Sequence, residues 1–102
     1  MKYGLKNQTI NSIEDVFVRY PQIEKVLLYG SRAKGNYRKG SDIDLTLMGN
    51  DLDLTTLFQI ENELDDLLLP YKIDLSIYSK IENQDLLDHI KRVGLVFYIR
   101  GK

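Results

Sequence analysis

The chain has 102 residues, of which 43% are hydrophobic and 28% charged, the composition of one ordinary globular domain. It contains no cysteine, which excludes disulfide scaffolds, zinc–thiolate sites and thiol catalysis. The net charge is −1, so no overall field draws the chain to nucleic acid, and we expect no strong nucleic-acid binding. We therefore expect a single domain over residues 1–102.

The chain carries no apolar run near the ~18 residues that a membrane span requires. Its first residues are also too polar for a signal peptide. These two observations, with the absence of cysteine, predict a cytoplasmic protein that does not enter a membrane.

Two segments before the prolines show the spacing of amphipathic helices. The first helix is predicted to begin near Asn11 or Ser12 and to end before Pro21. The second is predicted to run from about Leu54 to the residues before Pro70.

Three runs between and after these helices are typical of strands. Residues 23–29 are nearly all apolar, as expected of a strand that is covered on both faces. Residues 42–48 and 72–78 alternate between apolar and polar side chains. In such an alternation Asp42 and Asp44 share one face, because side chains two apart point the same way.

The C-terminal part is predicted to contain a third helix, capped by Ser79 with Glu82. His89 falls on its polar side and is expected at the surface. Residues 95–100 fit either an edge strand or a continuation of the helix, and we favour the helix. The predicted order is α-β-β-α-β-α, in one α/β unit.

A glycine–serine turn directly follows the first predicted strand. Gly30 permits the backbone angles and close approach that a bound anion requires, Ser31 adds a hydroxyl donor and Arg32 adds positive charge. Taken alone, such a turn is usually only a turn. A P-loop is excluded because no Gly-Lys-Ser/Thr follows the glycines.

Three carboxylates occupy equivalent positions in two of the predicted strands. Asp42 and Asp44 open the second strand, and Asp74 stands in the third. If these strands are neighbours the carboxylates converge, and they repel one another unless a cation lies between them. Oxygen ligands without His or Cys favour Mg²⁺ or Mn²⁺ over zinc. A second Asp-x-Asp pair, Asp51 and Asp53, is interpreted as a helix cap.

Together these residues resemble the minimal nucleotidyltransferases of the DNA polymerase β superfamily. The pattern is Gly-Ser at 30–31, ten residues from Arg32 to Ser41, Asp-x-Asp at 42–44 and a later strand aspartate at 74. The resemblance implies a small mixed sheet with helices packed on it. It also implies metal-dependent transfer of a nucleoside monophosphate from an NTP.

The resemblance assigns a role to each residue of the pattern. Asp42 and Asp44 would hold two Mg²⁺ ions, with Mn²⁺ as an alternative metal, and Asp74 would bind the catalytic ion and accept the proton of the attacking hydroxyl. Gly30 and Ser31 would hold the β- and γ-phosphates, and Arg32 would assist in phosphate binding or carry only a solvent-facing charge.

The resemblance further implies a partner. Small members of this family commonly pair with an all-α HEPN protein as antitoxin to a ribonuclease toxin, and some adenylylate it on tyrosine. The predicted function is AMP transfer from ATP to a HEPN toxin, with which the chain would form a complex. The alternatives are a non-catalytic, nucleotide-binding antitoxin subunit that occludes its partner, and a nucleotidyltransferase acting on a small molecule or an RNA end.

Overall fold

The computed structural model describes residues 1–101, which fold around one four-stranded sheet. The strands lie in the order β3-β2-β1-β4. Their bounds are Lys25–Tyr29 for β1, Ile43–Met48 for β2, Ile73–Ile77 for β3 and Leu95–Ile99 for β4. Since β1 pairs antiparallel with β2 and β4 while β2 pairs parallel with β3, the sheet is mixed, as the resemblance implied.

Within residues 1–101, four α-helices and one short 3₁₀ turn accompany the strands. The helices are α1 (Asn7–Val18), α2 (Gly30–Lys34), α3 (Leu54–Asp65) and α4 (Gln84–Val93), and the 3₁₀ turn covers Tyr78–Lys80. Among the described residues, no helix is both long and apolar enough to cross a membrane.

The two faces of the sheet differ in polarity. One face carries the apolar positions of the alternating strands, such as Leu45 and Leu75, which join Phe17 of α1 and Ile60 of α3 in the main core. The other face carries the polar positions, such as Asp44, and α2 and α4 lie against its β1 side. Burial of the apolar face stabilises the sheet, so the polar face is not needed for the main core and can carry a functional site.

The predicted starts of two helices are wrong. Helix α1 begins at Asn7, earlier than Asn11 or Ser12, and its first turn has no side-chain cap. Helix α4 is capped by Asn83, whose side chain accepts the N–H of Leu86, because Ser79 is used in the 3₁₀ turn. The cap predicted for the second helix is confirmed, since Asp53 accepts the N–H of Thr56.

The predicted order α-β-β-α-β-α lacks two elements that the structure contains. Gly30 and Ser31, predicted as a turn, begin the short helix α2, which continues to Lys34. Most of residues 95–100, predicted as helix, form the strand β4, which pairs with the free edge of β1. Helix α4 ends at Gly94, where the backbone turns to the extended conformation. Pairing with an open sheet edge therefore outweighs the local helical spacing.

The packing of Phe97 predicts that β4 is a stabilising part of the domain. Phe97 is 6% exposed, and its ring centroid lies 6.0 Å from that of Tyr3 and 6.4 Å from that of Phe17. Phe97→Ala should lower the free energy of unfolding by about 3–5 kcal/mol, because it leaves a cavity in the core.

The matched control is Val96→Ala in the same strand, since Val96 is 49% exposed. We expect it to change the free energy of unfolding by about 0.5 kcal/mol or less. Urea unfolding followed by circular dichroism measures both variants. Equal losses would contradict the assignment of Phe97 to the core.

Candidate active site

The parallel register of the sheet brings two of the predicted site carboxylates side by side. Asp44 of β2 pairs directly with Asp74 of β3, and on its other side it pairs with Tyr29 of β1. Asp42 stands one residue before β2. Asp42 and Asp74 are exposed, whereas Asp44 is half-buried. Asp44 and Asp74 are therefore neighbours on the polar face, and Asp42 lies two residues from Asp44 along the chain.

The electrostatics of Asp44 reflect this arrangement. Partial burial raises the pKa of the Asp44 carboxyl, and the negative charges of Asp74 and Asp42 raise it further. Asp44 thus lies where added negative charge is unfavourable and a cation would be stabilised.

The donor set fits a hard divalent cation, because all three groups are carboxylates. Within residues 1–101, no three acidic or imidazole groups form a ready-made metal cage. A metal ion held by these carboxylates would therefore take its other ligands from water or substrate oxygens.

Gly30 lies directly against the carboxylate of Asp44. Its φ of +74° is in the left-handed region, and a Cβ added at this position would overlap Asp44 Oδ2. Both facts require glycine here. The predicted phosphate-binding turn and the predicted metal ligands are consequently in contact.

Ser31 follows in the first turn of α2 and is half-exposed, so its hydroxyl can reach a ligand. The helix ends after one turn at Gly35, whose φ is +86° and whose N–H donates to the Ser31 carbonyl. The phosphate-binding roles of Gly30 and Ser31 stay predictions.

The side chain of Arg32 is buried within the protein. It is 2% exposed, and its guanidinium donates to the carbonyl of Ser41 at 2.8 and 3.1 Å and to that of Tyr3 at 2.8 Å. The guanidinium also lies over the rings of Tyr37 and Tyr71, 5.3 and 4.9 Å from their centroids. These contacts favour a structural role over the phosphate-binding role predicted from the sequence.

His89 is not the solvent-facing residue that the sequence predicted. Its Nε2 accepts the backbone N–H of Gly30 at 3.1 Å, and its half-buried ring meets that of Tyr29 edge to face, 6.1 Å between centroids. The position of His89 on the helix could have indicated this partial burial, because it lies one residue before the buried Ile90 and three after the half-buried Leu86.

A hydrogen-bonded layer lies next to the carboxylates on the same face. Ser76 Oγ donates to Thr46 Oγ1 at 2.9 Å, and Thr46 is fully buried. Burial is the main cause that raises the pKa of Tyr29, and the charges of Asp74 and Asp44 add to it, whereas a hydrogen bond with Ser76 opposes the shift. These polar groups are satisfied within the protein and hold the strands that carry the acids.

The sequence matches a known protein family and a curated relative. Residues 11–102 match the family described as "Polymerase beta, Nucleotidyltransferase". A candidate protein adenylyltransferase of Methanocaldococcus jannaschii is 35% identical over 72 residues, which are 71% of this chain and 53% of that protein. The chain thus spans about half the length of this curated relative.

Two solved structures show the same fold. A chain from the crystal structure of a toxin–antitoxin with AMP-PNP superposes with a TM-score of 0.72 at 21% identity, covering 90% of this chain and 74% of that one. A chain from the Shewanella oneidensis complex of tri-AMPylated HEPN toxin with MNT antitoxin gives a TM-score of 0.68 at 19% identity, covering 92% and 72%. The predicted fold class is therefore confirmed.

The contacts of Arg32 predict a large effect of a conservative replacement. Lysine cannot form the two-pronged contact with the Ser41 carbonyl or stack flat on the tyrosine rings. Arg32→Lys should lower the free energy of unfolding by about 2–3 kcal/mol. Arg38→Lys, at an exposed position in the same loop, should change it by about 0.5 kcal/mol or less. Urea denaturation that finds the two variants equal would contradict the structural role.

The raised pKa of Asp44 predicts how metal-free stability depends on pH. Because the folded-state pKa lies above the ordinary value of 3.8, this group favours folding below that value and loses its contribution as pH rises through the folded pKa. Asp44→Asn should raise the melting temperature of the metal-free protein at pH 7 by on the order of a few degrees, since solvent screens part of the repulsion.

Thermal melts between about pH 3 and pH 7 measure this difference, which should shrink as the carboxyl becomes protonated. Asp51→Asn, at an exposed acid outside the site, serves as the control and should show no such pH-dependent gain. A melting temperature of Asp44→Asn equal to or below that of the wild type at pH 7 would rule out net repulsion at Asp44.

Proposed function

Because the chain belongs to the polymerase β nucleotidyltransferase family, we propose that it transfers a nucleoside monophosphate from an NTP to an acceptor hydroxyl. One observation carries the proposal: Asp44 contacts the Gly30 turn on one side and pairs with Asp74 on the other. This contact supports the proposal, because phosphoryl-group chemistry needs metal ligands beside a phosphate-binding turn.

Asp42 and Asp44 are the proposed ligands of two Mg²⁺ ions, and Asp74 is the proposed third ligand of the catalytic ion, with Mn²⁺ as an alternative metal. Burial and the negative charges of Asp74 and Asp42 raise the pKa of Asp44, and this supports the assignment because a cation would offset both effects. When bound, the metal supplies positive charge to the phosphate oxygens and to the attacking and leaving oxygens.

The remaining steps belong to side chains of the protein. The Ser31 hydroxyl donates to the β- or γ-phosphate, where negative charge accumulates as pyrophosphate leaves. The acceptor oxygen forms a bond to the α-phosphorus while the bond to the bridging oxygen breaks. Asp74, which is exposed beside Asp44, takes the proton of the acceptor hydroxyl.

For substrate and partner, we propose AMP transfer from ATP to a tyrosine hydroxyl of a HEPN-type toxin, with this chain as its antitoxin. The adenylyltransferase name of the M. jannaschii relative supports the nucleotide, and the fold shared with chains of toxin–antitoxin complexes supports the partner. The exposure of Asp42 and Asp74 adds to this support, because an acceptor carried on another protein needs an open site.

The test uses ATP labelled at the α-phosphate, Mg²⁺ and a co-expressed HEPN partner. The wild-type chain should label the partner, and the double variant Asp42→Asn/Asp44→Asn should not, because it loses two metal ligands. Ser31→Ala should be about tenfold to a hundredfold slower, since it loses one hydrogen bond to a charged oxygen.

The chain offers a matched control in its second Asp-x-Asp pair. Asp51→Asn/Asp53→Asn makes the same chemical change outside the site, and asparagine at position 53 can still cap α3. This variant should transfer at the wild-type rate. No transfer by the folded wild-type chain to any acceptor would contradict the proposal, and full toxin neutralisation by the inactive double variant would favour occlusion over catalysis.

A further inference from the structure

The imidazole of His89 reaches the phosphate-binding turn from a distant part of the chain. His89 lies in α4, and its Nε2 accepts the N–H of Gly30, 59 residues earlier, at 3.1 Å. We propose that His89 is a positioning residue of the nucleotide site that holds the Gly30–Ser31 turn against Asp44. This inference rests on the proposed function only where it names the ligand of that turn.

The hydrogen bond to His89 satisfies a backbone N–H that α2 leaves without an acceptor. Gly30 begins α2, so its N–H has no acceptor within that helix. Gly30 is half-buried, and an N–H that is partly removed from water without a partner is unfavourable. The imidazole supplies the acceptor and so ties the first residue of the turn to α4.

Gly30 also lies against Asp44. The Asp44 carboxylate occupies the space that a side chain at position 30 would fill. Gly30 is therefore in contact with both the imidazole of His89 and the carboxylate of Asp44. Movement of the turn away from its place would disturb the spacing between the phosphate-binding group and the metal ligand, to which group transfer is sensitive.

The imidazole ring of His89 is also held by a second contact. The edge-to-face contact with Tyr29, the residue directly before Gly30, restrains the imidazole from a second direction. With Nε2 as the acceptor, the proton of the neutral ring is on Nδ1. The geometry thus specifies one tautomer and one acceptor atom. Variants of His89 can therefore test its hydrogen bond to Gly30 separately from the packing of its ring.

Two variants separate the hydrogen bond from the packing of the ring. His89→Gln places an amide oxygen about as far from the backbone as Nε2, so it can still accept the Gly30 N–H. His89→Phe keeps an aromatic ring against Tyr29 but has no acceptor. Lys91→Gln, at an exposed position of the same helix, is the control.

The measurements are the dissociation constant of AMP-PNP with Mg²⁺, by calorimetry, and kcat and KM for transfer from ATP. His89→Phe should weaken binding about threefold to tenfold, as expected for one neutral hydrogen bond, and should lower kcat/KM by at least this factor. His89→Gln and Lys91→Gln should stay near the wild type. A purely packing role would reverse the order of the Gln and Phe variants.

Affinity of His89→Phe equal to or tighter than that of the wild type would overturn the proposal. Tighter binding would mean that the imidazole competes with phosphate for the Gly30 N–H. Melting temperatures and circular dichroism of all variants check that each is folded.

A ligand-free measurement distinguishes failure of this inference from failure of the proposed function. By NMR, the wild-type imidazole should carry its proton on Nδ1, and the Gly30 amide should be protected from hydrogen exchange in the wild type and in His89→Gln but not in His89→Phe. If the wild type shows this pattern but binds no AMP-PNP, the proposed function is wrong. The hydrogen bond by which His89 positions the Gly30–Ser31 turn is then still established. An unprotected Gly30 amide in the wild type overturns the inference itself.

Discussion

The parallel register between β2 and β3 is the constraint on which the site depends. It places Asp44 opposite Asp74 on one face, and it places Leu45 opposite Leu75 on the other, inside the core. A slip of one residue in either strand would bury its acid and expose its apolar side chains. Hydrophobic burial on the closed face therefore fixes the carboxylates together on the open face and offsets the repulsion between them.

The buried guanidinium of Arg32 connects the two halves of the Gly-Ser and Asp-x-Asp pattern. Arg32 directly follows Ser31, and it binds the carbonyl of Ser41, the residue directly before Asp42. The ten residues between the two motifs thus form a loop whose ends are held by one side chain. Because the acceptors are backbone carbonyls and tyrosine faces, the charge is compensated without a carboxylate that would interfere with the metal site.

Local patterns in the sequence were sufficient for the elements that carry the carboxylates. The alternation at 42–48 and 72–78 predicted two strands and the shared face of their acids, and Asp53 was identified as a cap. The contacts of Arg32 and His89 could not be predicted from such local patterns. Their partners, Tyr3 and Gly30, lie 29 and 59 residues away, and periodicity within one segment contains no information on such contacts.

The misassigned C-terminal strand has the same physical origin, because the edge of β1 that attracts residues 95–99 belongs to another part of the chain. Two of these long-range contacts act at the site or on the sheet that supports it: His89 accepts the N–H of Gly30, and β4 completes the sheet beside β1. The contact of Arg32 that lies next to the site is with the carbonyl of Ser41, the residue directly before Asp42. In a domain this small, the groups that hold the site in place are also the groups that join distant segments of the fold, so the geometry of the site and the stability of the domain are set by the same contacts.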